Sequence, residues 1–127
     1  MTLNQQIEQT IAYLSGFNKD NEITLHLKAL RDAKIILKKW WKPRDVATRM
    51  TYSTTFSDHE IHLGIPWPYT TAFRKARWLL HEAVHLLQYQ EMDRRIYWLA
   101  YINPFNSRFR KRMELEADYF TKKIMGV

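Results

Sequence analysis

The sequence predicts an α+β fold with helices at both ends and a small sheet between them. Three observations carry that prediction. Apolar residues recur at helical spacing near the start. A central stretch is rich in Val, Thr, Tyr and Phe and is cut by turn residues. Two long helical patterns then follow the prolines at 66 and 68.

Each element has a local reason. Ile7, Ile11 and Leu14 fall on one helical face and Gly16 stands where a C-terminal cap would, so residues 3–15 read as a first helix. Ile23, Leu27, Leu30, Lys34 and Leu37 keep helical intervals, which favours a second helix from about residue 22. Its end is open, because "KIILKKWW" can finish that helix or begin a strand. After Pro43, "VATRMTYSTTF" (46–56) reads as a strand, "SD" as a turn and "HEIHLG" as a second strand. The pair is expected to be antiparallel. "IPWPY" breaks the pattern, and Thr70 or Thr71 can cap a helix running to about Gln90. A further helix is expected over roughly 92–102, before Pro104. Ser107 can cap a last helix to about Met125, with Gly126 beyond it.

Bulk properties narrow the classes. A chain of 127 residues suits one domain over 1–127, with 46% hydrophobic and 26% charged residues as in ordinary globular proteins. There are no cysteines, which excludes disulfides and thiolate ligands, so any metal must be held by His, Asp or Glu. The polar start "MTLNQQIEQT" lacks the order of a secretory signal, and "IYWLAYINPF" is too short to span a bilayer. A soluble, cytoplasmic protein is the expectation. The net charge of +7 can attract nucleic acid, anionic lipid or acidic protein, but no nucleic-acid-binding motif accompanies it. A solvated basic surface is the preferred account of it.

The stretch that carries chemistry is "RWLLHEAVHLLQYQ", residues 77–90. It contains His81-Glu82-Ala83-Val84-His85, an H-E-x-x-H on a helix. Positions i and i+4 lie one turn apart on one face, so both imidazoles can reach a single ion. Glu82 follows the first histidine and can take a proton from a metal-bound water. Leu80, Val84 and Leu87 form an apolar stripe for the core on another side of the helix. No histidine follows His85, so a third imidazole further along is excluded and a downstream carboxylate must complete the site. Glu91 and Asp93 lie too close to the same helix. Glu114, Glu116 and Asp118 are on the last helix, with Glu114 and Asp118 sharing a face. One of these carboxylates can bind the metal while another accepts the free N–H of a ligating histidine.

Together, "HEAVH" and the later "ELEAD" resemble the gluzincin metallopeptidases, whose pattern is H-E-x-x-H followed by E-x-x-x-D. "EIHLG" with "FRKARWLLHEAVHLL" is also similar to the strand, basic turn and helix of small ImmA/IrrE-like peptidase domains. The resemblance covers roughly 59–122 and implies a minimal zincin-like domain, with the H-E-x-x-H helix followed by a C-terminal helix carrying the third ligand. It implies Zn2+ held by His81, His85 and Glu114, Glu82 as general base, Asp118 hydrogen-bonded to His81, and Glu116 as a non-ligand. The implied activity is hydrolysis of a peptide or protein substrate. Gluzincins also use a His, Tyr or Arg for the oxyanion. No motif places it here, and Tyr89, Tyr97, Tyr101 and nearby arginines are the candidates.

Other pairs count for less. His59 and His62 fall on opposite faces of a strand, so joint binding of one ion is not expected. Trp78 suits either a cleft wall or core packing, and His26 reads as an ordinary helix residue. The competing function is a non-catalytic binding or structural protein on the same scaffold, as part of a larger assembly. A nucleic-acid-associated protease is a third reading, drawn from charge alone.

Overall fold

A computed structural model describes residues 1–37, 53–57, 60–64, 67–92 and 107–126. Helix α1 spans Leu3–Ser15 and begins with a reciprocal cap. The Thr2 hydroxyl accepts from the Gln5 N–H, and the Gln5 side chain accepts from the Thr2 N–H. Ile7, Ile11 and Leu14 bury the inner face, as their spacing predicts. Gly16 does cap α1, but with φ −66° it stays right-handed. The left-handed residues come later, at Asp20 and Asn21.

Helix α2 runs Thr24–Asp32 and buries Leu27, Ala29 and Leu30. Asn18 sets its start by accepting from the Ile23 N–H and donating to the Thr24 hydroxyl. The helix stops earlier than the spacing of Lys34 and Leu37 suggests. Ala33 turns extended, and Lys34–Leu37 become strand β1. Branched Ile35 and Ile36 favour the extended backbone, where neighbouring strands can satisfy their N–H and C=O groups.

Strands β2 (Ser53–Ser57) and β3 (Glu60–Leu63) pair antiparallel as expected, with an irregularity between Thr55 and Ser57. The sheet as a whole is a correction to the antiparallel expectation. It is mixed, in the order β1-β3-β2, with β1 parallel to β3. β3 is therefore the central strand, and its Ile61 and Leu63 are fully buried. Residues 46–52 of the expected strand, the part of the helix expected over roughly 92–102 that follows Met92, and His59, Tyr97 and Tyr101 lie outside the described residues.

A short 3-10 turn, Trp67–Tyr69, leads into helix α3, Ala72–Glu91. Trp67 is fully buried, and its indole N–H donates to the Gln6 side chain at 3.0 Å, tying this turn to α1. Thr71 caps α3 by accepting from the Arg74 N–H. Helix α3 packs against α1, α2, β2 and helix α4, Ser107–Met125. Its core face is Ala76, Leu79, Leu80, Ala83 and Leu86, all fully buried, a broader stripe than Leu80, Val84 and Leu87 alone. Trp78, partly buried, packs on this core beside Trp67.

Helix α4 buries Met113, Ala117, Thr121 and Met125 and has no acidic residue in its first turn. Gly126 ends it at φ 73°, where a side chain would be strained, and donates to the Lys122 carbonyl. Among the described residues, no helix is long and apolar enough to cross a membrane.

His26 joins α2 to α4. Its ring stacks on Phe120 at 4.5 Å, and its Nδ1 is buried without a hydrogen-bond partner among the described residues. Burial lowers its pKa from 6.5 to about 4. A histidine kept neutral in the fold stabilises it above pH 6.5, and that contribution is lost as pH falls toward about 4. Denaturant midpoints should therefore drop between pH 7 and 5 in the parent and drop less in His26→Phe. Equal acid sensitivity in both would remove this role for His26.

Candidate metal centre

The site lies between α3 and α4. His81 and His85 stand one turn apart on α3, and Glu114 and Asp118 stand one turn apart on α4. As numbers rise along α3 the partners on α4 fall: His81 meets Asp118 and Glu114, His85 meets Glu114, and Gln88 meets Met113. The two helices are thus antiparallel where they carry the site.

Three side chains converge. His81 Nε2 lies 3.1 Å from Glu114 Oε2, His85 Nε2 lies 3.2 Å from Glu114 Oε1, and the two Nε2 atoms are 3.2 Å apart. A tetrahedral zinc site with bonds of about 2.0–2.1 Å spaces its ligand atoms about 3.3 Å apart. The observed spacings come within a few tenths of an ångström of that edge. The group His81, His85 and Glu114 can hold a metal ion.

Both rings are oriented from behind. His81 Nδ1 faces Asp118 Oδ1 at 3.2 Å, and His85 Nδ1 faces Gln88 Oε1 at 2.7 Å. A carboxylate and an amide oxygen only accept, so each Nδ1 carries its proton and each Nε2 is the atom that can offer a lone pair inward. The imidazoles are held edge-on to each other at 75°.

Burial grades across the site. The His85 side chain is 6% exposed, His81 20%, Glu114 32% and Asp118 57%. Solvent therefore reaches the centre from the α4 side, past Asp118 and Glu114. Glu82 is buried, at 4% exposure, and its charge acts on His85. Burial opposes charging His85. The Glu114 hydrogen bond, the charges of Glu82 and Glu114, and the Gln88 bond outweigh it and push its pKa from 6.5 up to about 9.

The structure brings His81, His85, Glu114 and Asp118 together, while Glu82 is buried on the same helix with its charge acting on His85. Glu116 takes no place among the converging atoms, and instead accepts from the Gln88 amide at 3.1 Å. His62 is elsewhere, hydrogen-bonded to Glu60 on β3. Tyr89 packs with Met113 between the helices. Gln88 was missed by motif reading. Its only signal in the sequence is an amide at i+3 from His85 on a helix face that is otherwise buried. No known protein family, characterised protein or solved structure matches the chain.

The pKa of His85 fixes a pH dependence. Raised above 6.5, it stabilises the metal-free fold fully below pH 6.5, and that contribution is lost as pH rises through about 9. A metal must displace the same proton, so affinity should rise about tenfold per pH unit across that window. The melting-temperature gain from added Zn2+ should therefore grow from pH 6.5 to 8.5, and Glu114→Ala should abolish it. A gain that is flat with pH would show that His85 holds no proton in competition with the ion.

Proposed function

We propose that this chain is a zinc-dependent metallopeptidase of the gluzincin type, on a minimal zincin-like fold, acting on a peptide or protein substrate. The observation that carries this reading is the convergence of His81 Nε2, His85 Nε2 and the Glu114 carboxylate at ligand spacing beside a buried Glu82. Two imidazoles and one carboxylate, without thiolates, are a donor set suited to catalytic zinc.

His81, His85 and Glu114 would hold the ion, and Asp118 faces the His81 Nδ1 and keeps that ring's Nε2 turned inward. Bound zinc would polarise the scissile carbonyl and lower the pKa of a coordinated water toward about 7. Glu82 accepts the proton of the attacking water and returns it to the leaving amine, the work of a general base and then a general acid. Substrate approaches from the side of Asp118 and Glu114, where the site is most exposed.

The second reading is a binding or structural protein on the same scaffold. Its support is the burial of Glu82, which at 4% exposure leaves little room for water beside the carboxylate. Glu82 separates the two. With zinc loaded, the parent should cleave a mixture of unfolded peptides. Glu82→Gln should bind zinc as well as the parent and cleave about 10²–10⁴-fold more slowly. A zinc-loaded parent that leaves every peptide intact supports the non-catalytic reading, whereas a variant that cleaves like the parent removes Glu82 as the base.

A further inference from the structure

Behind His85 the geometry points to a second device. We infer that Gln88 is a positioning residue whose amide, locked by Glu116 and the Met113 carbonyl, fixes the His85 ring for metal binding. This rests on the metal centre proposed above, though not on its being hydrolytic.

Gln88 is 7% exposed and spends both ends of its amide. Its oxygen accepts from His85 Nδ1 at 2.7 Å. Its nitrogen donates to the Met113 carbonyl at 3.3 Å and to Glu116 Oε2 at 3.1 Å. Both of those partners can only accept. Turning the amide over would set its oxygen against a carbonyl and a carboxylate, two repulsive contacts. The α4 partners therefore dictate which end of Gln88 meets His85. That end is an acceptor, so the proton sits on Nδ1 and the Nε2 lone pair is aimed at the site.

The arrangement explains why the residue is an amide. A glutamate at 88 could also accept from His85. It would then face Glu116 and the Met113 carbonyl with no hydrogen to give them. It also links the helices: the group that orients His85 from α3 is itself oriented from α4, within two residues of Glu114. Correct ring geometry and delivery of the third ligand depend on the same docking of α4.

The test uses the full chain, stripped with chelator and titrated with Zn2+ alone against a competing metal-binding dye. Gln88→Met keeps length and bulk but removes all three hydrogen bonds. Its zinc affinity should fall about 10–100-fold, the usual effect of removing a partner behind a ligating histidine. In the zinc-loaded parent the His85 Nδ1–H should give a nuclear magnetic resonance signal slow to exchange with water, and in Gln88→Met that signal should exchange rapidly. Gln88→Glu should weaken zinc binding as well, and adding Glu116→Gln should restore part of the loss by returning a donor. If Gln88→Met does not fold, the exposed Glu116→Ala carries the test through a smaller loss in the same direction. Unchanged affinity with a protected Nδ1–H in Gln88→Met, or no rescue of Gln88→Glu by Glu116→Gln, overturns the inference. A parent that takes up no zinc overturns the metal centre itself.

Discussion

The antiparallel docking of α4 on α3 is the constraint on which the rest of the molecule depends. Neither helix can form the centre alone, since the third donor lies 33 residues beyond the first in sequence. Docking also places polar side chains where an ordinary interface would be apolar. Glu82, His85 and Gln88 are all buried, and such groups are costly to desolvate without partners. His85 and Gln88 are tolerated here because they satisfy each other and the groups of α4. The core on the other side of α3, built from Ala76, Leu79, Leu80, Ala83 and Leu86, supplies apolar burial to offset that cost.

Two supports hold the helices in place. The entry to α3 is fixed by the Thr71 cap and by Trp67, whose buried indole reaches back to Gln6 on α1. The far end of α4 rests on α2 through the His26–Phe120 stack and on the turn before α2 through the Lys123–Glu22 ion pair. The exposed ion pair contributes little by itself, whereas the stack also removes apolar surface from water. Ala117, fully buried on the α4 face that also carries Glu114 and Thr121, leaves room for close approach.

Much of this was legible in the residues because helical periodicity is local. The spacing of His81 and His85, and of Glu114 and Asp118, places each pair on one face whatever surrounds them. The resemblance joined the two pairs, and the structure brings the same atoms together. What stayed hidden depended on partners distant in sequence. Gln88 has no motif, and its role arises only from what α4 sets against it. The parallel pairing of β1 with β3 was equally out of reach, because backbone hydrogen bonds leave no side-chain signature. "KIIL" supports a helix end or a strand until β3 offers its edge.

Helix α4 opens with Arg108, Arg110, Lys111 and Arg112 and no acid in its first turn, so its cations oppose the positive pole of the helix. Glu114 lies only a turn beyond them. Fraying from that end would withdraw one of the three donors while the two imidazoles stay seated on a helix anchored in the core. The residence time of an ion would then be governed by local opening of a helix rather than by the strength of any single bond to the metal.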